Sequence, residues 1–445
     1  MVSALLTGDP ENQDLPMRRL GMAIFGSAML AVIIFAVVAV YGVYNPGGGS
    51  LADDTLVIER ETGARFVYTG GTLYPVANFA SARLVLGEPN PKRQTVSQAT
   101  LRGRPRGPML GIAGAPDALP DPGALVGLPW SVCGAPTVNG GSATQLMVGR
   151  QLAGGAQLGE QSLLVSAGSD RYLIWHNHRM QIRDNTVLAA LQLSPARAVP
   201  VSSVVLNAIT AGPPLQPPNV DNSGASSGRV VNGRTLTIGS VVHAGGQYYV
   251  LLTDGYAQIN EVTKSLLTAT TTAAPPEITS QDLGAQLSQR RVEPDGWLTT
   301  LPNLVDAPSD STALCATYRG GSDAKAQVTV EFFRQVPDGL PTETSAAATQ
   351  RGVRTADRVV VEGGHGAIVQ TLPVPGATTT GTTVYLVTDE GIKYGLAPGQ
   401  FNTQAALGYD GVTPALIPAD LLALVPTGPV LDATAAHNQL VRLGA

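Results

Sequence analysis

Cysteine is scarce in this 445-residue chain, with two residues, and so is histidine, with five. Two cysteines permit at most one internal disulfide and exclude a zinc site of four thiolates. Charge is sparse at 14% of residues and has no basic excess, since 28 Lys and Arg face 33 Asp and Glu for a net charge of −5. A nucleic-acid binder needs a basic face to displace counterions from phosphates, so this balance argues against that class. No Gly-x-x-x-x-Gly-Lys-Ser/Thr loop occurs, nor Gly-x-Gly-x-x-Gly; Thr263-Lys264-Ser265 lacks the glycines such a phosphate cradle requires. Long apolar runs are also missing, with one exception.

That exception is Leu20 to Tyr44, which holds no charge and one hydroxyl, Ser27. As a helix rising about 1.5 Å per residue, the run exceeds a hydrocarbon core of roughly 30 Å and predicts a tilted transmembrane helix. A secretory signal peptide is the competing reading. The run is too long for one, no small-residue cleavage site follows, and Tyr41 and Tyr44 read as an interfacial belt. Arg18 and Arg19 abut its N-terminal end, while Asn45-Pro46-Gly47-Gly48-Gly49-Ser50 and Asp53-Asp54 follow it. The positive-inside rule then leaves a short cytosolic arm and puts the bulk of the chain outside. The slightly positive mean hydropathy, +0.12, reflects this concentrated span rather than several spans.

Outside the membrane thiols oxidise, so Cys133 and Cys315 are expected to pair. Such a bridge closes a loop of about 180 residues, for which chain entropy gives roughly 5 kcal/mol at best. Two buried free thiols are the alternative.

Abundant glycine (51) and proline (33) punctuate a repeat. One copy reads RFVYTGGTLYPVANFASARLVLG from Arg65 and another RYLIWHNHRMQIRDNTVLAALQL from Arg171. A third, YVLLTDGYAQINEVTKSLLTA, begins at Tyr249, and a fourth, YLVTDEGIKYGLAPGQFNTQAALG, at Tyr385. Each joins an aromatic-led strand, marked by Phe66, Tyr172, Tyr249 or Tyr385, through a turn to a second strand and then a helical stretch. Gly70-Gly71, Asp254-Gly255 and Asp389-Glu390-Gly391 are the turn signals. Asn78, Asp184 and Asn260 are candidate helix caps. An apolar strand with a Gly-bearing turn precedes each unit.

Three copies share a tail: LRGRPRGPML, LNAITAGPPL and LALVPTGPVL each open with Leu and close Gly-Pro-x-Leu, at Gly107, Gly212 and Gly428. The third copy has only Ile278 to Leu283 at that place and then departs. The two intervals that hold the cysteines lie between units one and two and between three and four. They imply one discontinuous central domain, with repeats one and four on its membrane side and two and three farther out. Val220 to Gly228 reads as a polar connector.

The short arm with ALLTGDP, the single span, the segment ETGARFVYTGGTLYPVANFASARLVLG and the Gly-Pro-x-Leu repeats together resemble the EccB family, the membrane component of the actinobacterial type VII (ESX) secretion system. The resemblance spans essentially the whole chain. Its most specific residues are Glu61-Thr62-Gly63-Ala64-Arg65-Phe66-Val67 with Pro75, Asn78 and Ser81. It implies a bitopic inner-membrane protein that joins the EccC ATPase, EccD and EccE, and whose periplasmic part dimerises. Family members carry a longer arm before the ALLTGDP-like segment, which implies either an upstream start or reduced cytosolic contacts here. They are also described as ATPases; ATP enters through that description alone, and no cofactor or metal is implied by a motif.

Other constellations are weak. Gly224-Ala225-Ser226-Ser227-Gly228 matches a nucleophile elbow but has no apolar strand before it. His176 and His178 are spaced as a metal pair on one strand face, yet bring no carboxylate pair; solvated turn histidines are the plainer reading. Arg102, Arg104 and Arg106 alternate as on a solvated strand edge, or as a contact for acidic lipid or a partner's acidic loop. Trp130 and Trp297 are expected in the core near the disulfide.

The expected fold is α+β: one N-terminal transmembrane helix, then a β-rich extracytoplasmic region of four small ββ-helix repeats around a disulfide-clasped discontinuous central domain. The boundaries are a cytosolic arm (1–19), transmembrane helix (20–44), linker (45–55), repeat 1 (56–112), first central half (113–161), repeat 2 (162–218), linker (219–229), repeat 3 (230–285), second central half (286–357), repeat 4 (358–432) and C-terminal tail (433–445). The expected function is a non-enzymatic scaffold subunit of a secretion complex in the inner membrane, without nucleic acid, its repeats serving dimerisation and assembly. The alternatives are a cell-wall-binding or sensing ectodomain and, third, an ATP hydrolase.

Overall fold

The computed structural model describes residues 16–44, 50–231, 233–284, 286–320, 327–341, 343–345, 349–350, 352–372, 383–398 and 402–440. The ALLTGDP segment and the linker residues 45–49 lie outside these. A helix runs Pro16–Tyr44, four residues longer at its start than the apolar run, with Pro16 in the first position that tolerates it. Leu20–Gly42 is long and apolar enough to cross a membrane and none of it is buried in the protein. A helix apolar on every side and buried on none has lipid as its matching solvent.

The chain forms two compact units, one of residues 1–113 with 433–445 and the other of residues 114–432. The first unit contains repeat 1. Strands Thr55–Glu59, Arg65–Thr69 and Thr72–Pro75 form an antiparallel meander, the helix Phe79–Leu86 follows, and Arg93–Val96 returns parallel to the first strand. Alternation along the strands sorts side chains to two faces. Leu56, Val67, Val76 and Ala82 cluster on the helix side, whereas Leu51, Val57, Phe66, Tyr68, Leu73, Val96 and Leu101 cluster on the other. Gly70 and Gly71 hold the hairpin at φ 55° and 76°, where a side chain would be strained.

The C-terminal tail, as far as Leu440, packs within this unit. Helix Ala433–Ala436 lies against Phe79–Leu86, Gln439 bridges Leu110, and the Leu440 N–H donates to the Met109 carbonyl at 2.9 Å. Ala433 and Ala436 are buried, and their small side chains allow that close approach.

In the second unit a six-stranded sheet has the order Arg358–Val360, Ser142–Val148, Trp130–Pro136, Ala313–Tyr318, Val328–Phe333, Ala156–Gln157. Its two central strands come from the two separated chain intervals and set Cys315 opposite Cys133. Those residues form the disulfide, with Cα atoms 4.1 Å apart across 182 residues of sequence. Period-2 alternation again divides the faces. Trp130, Val132, Leu146, Leu314 and Ala316 share one large core with repeats 2 and 4, while Cys133, Ala135, Met147, Ala313 and Cys315 form a small cluster on the reverse.

Several boundaries move. Arg358–Val360 pairs with Ser142–Val148 in the central sheet and so does not open repeat 4. Residues 219–229 are not all connector, because Ser226–Val231 pairs with Arg234–Thr237 as a hairpin. Residues 286–304 belong with repeats 2 and 3: Trp297 and Leu298 pack among Leu173, Met180 and Leu188 of repeat 2 and Val262 and Leu266 of repeat 3. Trp297 is thus away from the disulfide cluster. Trp130, three residues from Cys133 on one strand, points to the opposite face of the sheet for reasons of parity.

Candidate assembly module

The repeat is larger than a hairpin and helix. Repeat 2 adds to its meander (Leu163–Ala167, Asp170–Trp175, His178–Ile182) a parallel strand, Val199–Pro200, on one edge and Thr210–Ala211 parallel to the third strand on the other. Repeat 4 has the same order through Ala367–Thr371, Val384–Val387, Lys393–Leu396 and Ala415–Ile417, with Thr427 and Leu431 bridging Lys393 and Leu396. The Gly-Pro-x-Leu tails are therefore the strand that closes each repeat beside its third strand.

Equivalent registers expose the logic. Phe66, Tyr172, Tyr249 and Tyr385 lie opposite Val57, Val165, Val242 and Val369, four fully buried valines. Phe66 is buried and the three tyrosines are half-buried against the same cores. The capping side chains of Asn78, Asp184 and Asn260 accept from the amides of Ser81, Val187 and Thr263, and Asn402 does so from Ala405 in repeat 4. Asn402 follows a longer connection, which takes it out of the spacing that marks the other three caps.

The tail glycines answer a side chain on the neighbouring strand. A Cβ at Gly107 would overlap the Tyr74 ring, one at Gly428 the Tyr394 ring, and one at Gly212 would lie 3.2 Å from both His178 Cβ and Met180 Cγ. Repeat 3 does have a tail: Tyr256 donates to Gln286 at 2.8 Å and its carbonyl accepts from Ser288 at 2.9 Å. Ser288 stands where the others have glycine, because the third-strand residue at the register of Tyr74, Met180 and Tyr394 is the small Ala257. The missing motif hid the element.

The candidate chemical constellations do not assemble. His176 and Asn177 are the positive-φ residues of a hairpin turn, at 47° and 61°. His176 stacks on Trp175 and sits 3.2 Å from Glu160, while the Nδ1 of His178 is 2.7 Å from the His176 carbonyl. No group of three or more His, Cys, Asp or Glu among the described residues could hold a metal. Ser227 donates to the Leu236 carbonyl across a hairpin, so the Gly-x-Ser-x-Gly stretch has no strand–turn–helix corner. Lys264 lies in helix Glu261–Leu267 over the Tyr248 ring. An open groove of about 690 Å³ separates repeats 2 and 3; Asp184, on its wall, is spent as a helix cap.

One buried base stands out. Lys393, 8% exposed, donates its Nζ to the Leu422 carbonyl at 2.5 Å, and burial lowers its pKa to about 8. Burial, then the charge and hydrogen bond of Glu390, raise neighbouring Tyr394 to about 12. Both effects accompany dense packing of repeat 4's third strand under its tail.

The family model described as type VII secretion system ESX-1, transport TM domain B, matches residues 1–441. The chain belongs to the EccB family. Among EccB relatives, the ESX-2 secretion system ATPase EccB2 of Mycobacterium tuberculosis is 30% identical over 433 residues, 87% of this chain and 82% of that protein. The ESX-3 secretion system ATPase EccB3 of Mycolicibacterium smegmatis is 28% identical over 453 residues, 95% and 85% of the two. A chain of the intact ESX-5 inner membrane complex superposes with TM-score 0.70 at 26% identity, covering 100% of this chain and 93% of that one. The EccB3 dimer from the ESX-3 core complex gives TM-score 0.66 at 27% identity, covering 86% and 100%. The fold and the membership expected from the ETGARFV segment and the repeats are thus established together.

Proposed function

We propose that this chain is a single-span scaffold subunit of a type VII secretion complex in the inner membrane, with its repeats and disulfide-clasped sheet in the periplasm. The observation that carries the reading is architectural. Four copies of one βββαβαβ unit are each closed by their own tail, and the features they share at equivalent registers, buried valines and capped helices, are structural. Such units offer edges and faces for protein contacts rather than a reaction centre. The relatives named above include an EccB dimer and an inner-membrane assembly, which favours self-association and contact with EccC-, EccD- and EccE-type subunits here. Arg18 and Arg19 beside the span, and a disulfide of the kind that persists in oxidising compartments, support this orientation.

ATP hydrolysis, which the relatives carry in their names, is assigned to a partner subunit, because this sequence has no glycine–lysine phosphate cradle. Secretion in a strain lacking the chain, complemented by the full chain or by residues 1–49 alone, tests the scaffold role. Restoration by the full chain only is expected. Restoration by the span alone, or undiminished secretion without either, would overturn it.

A further inference from the structure

We propose that the arginine ladder of repeat 1, Arg102, Arg104 and Arg106, binds anionic lipid headgroups on the membrane its own helix crosses. Tyr44 ends the helix and Ser50 is the next described residue. Six peptide steps reach no farther than about 20 Å, so the start of the ectodomain is held beside the bilayer surface. Leu51 is buried in the same cluster as Phe66 and Tyr68. The Arg104 guanidinium lies 5.7 Å from the Tyr68 ring centroid and donates to its hydroxyl at 3.3 Å, and that of Arg106 lies 5.3 Å from the Phe66 ring. Arg104 and Arg106 therefore stack on rings of the same cluster that buries Leu51, the second described residue after the span.

Stacking on a ring fixes a guanidinium plane while leaving most of its donors directed outward, a geometry suited to phosphate oxygens. Among the described residues none of the three arginines forms an ion pair, whereas Arg290, Arg291, Arg334 and Arg354 each face an aspartate. Residues 50–112 carry eight Lys and Arg against five Asp and Glu, while residues 113–445 carry 18 against 25. The basic excess is thus confined to the segment tethered at the membrane. Asp53 and Asp54 are the first acids after the span, and Asp54 already accepts from the Thr69 hydroxyl at 2.7 Å. A lipid phosphate is favoured over an acidic protein loop because the tether keeps it at high effective concentration in every copy of the molecule.

Hydrogen exchange of the full-length protein in nanodiscs tests this, comparing phosphatidylcholine alone with a mixture containing about 30% phosphatidylglycerol. Each cation near an anionic surface is worth about fivefold in partitioning, so three together are worth on the order of a hundredfold, and exchange in 100–110 should slow by at least about tenfold in the anionic discs. In about 0.5 M salt, where the Debye length is roughly 4 Å, that protection should vanish. The variant Arg102→Gln/Arg104→Gln/Arg106→Gln should lose it and Arg102→Lys/Arg104→Lys/Arg106→Lys should keep it, which separates lost charge from lost folding. Absence of protection in the native protein, salt-insensitive protection, or its loss in the lysine variant would overturn the proposal. Unchanged lipid protection in the glutamine variant, with weaker recovery of partner subunits, would instead assign the ladder to an acidic protein surface.

Discussion

Gly107 lies against the Tyr74 ring, so closely that a single methyl at Gly107 would overlap it. The same relationship holds between Gly428 and Tyr394, and it is relaxed in repeat 3, where Ala257 permits Ser288. The Gly-Pro-x-Leu signature is thereby a packing rule: the tail approaches the third strand as closely as the side chain facing it allows.

Gly107→Ala should therefore destabilise repeat 1 by about 2–3 kcal/mol, the usual scale of overpacking. Tyr74→Ala is destabilising in its own right, but adding Gly107→Ala to it should cost far less, giving a positive coupling in a double-mutant cycle. Ser288→Ala should stay within about 0.5 kcal/mol. Denaturant-dependent hydrogen exchange of the third strands reads all four; additive effects at Gly107 and Tyr74 would refute the rule.

The Cys133–Cys315 bridge joins neighbouring strands whose residues are 182 apart. Cys133→Ala/Cys315→Ala should lower the stability of the second unit by up to about 5 kcal/mol through a less restricted unfolded chain. A thermal unfolding scan with and without reductant should shift for the native protein and not for the variant.

Lys393 should give the second unit a distinct alkaline response. Its pKa falls from 10.5 to about 8 on burial, so between those values the unfolded chain binds the proton and the folded one does not. Stability from this group then rises as pH climbs from about 8 to 10.5 and is lost as pH falls through 8. Denaturation of native protein and Lys393→Met at pH 7 and pH 9.5 should show the rise only in the native protein. Tyr394, held protonated to about 12, opposes it only above the unfolded tyrosine range near 10.

Asn78 caps its helix through Oδ1 and donates Nδ2 to the Ile112 carbonyl at 2.8 Å. Asn78→Ala should cost about 2 kcal/mol, more than a cap alone at about 1. Asn78→Asp, which keeps the cap acceptor and loses the donor, should fall between.

Much of this was legible in the chain. The apolar run to Tyr44, the aromatic-led strands and the three glycine tails mark the span and the repeats, because each is a local pattern with a fixed period. What escaped was decided by contacts distant in sequence. The docking of Ala433–Ala436 on repeat 1 depends on small residues with no signature of their own. Repeat 3's tail carries serine in place of glycine because the facing position, Ala257, is small. Trp297 packs away from the disulfide, and nothing local shows which sheet a loop crosses. The ladder at 102–106 was visible as alternation, but its relation to Leu51, Phe66 and Tyr68 required the fold.

The scaffold role is tested most directly by purifying the tagged full-length chain from its native membranes in mild detergent and determining the mass and composition of the particle. A particle with at least two copies of this chain, an ATPase subunit and a multi-span partner is the expected result. Quantitative recovery as a free monomer, with no other secretion subunit present, would contradict it.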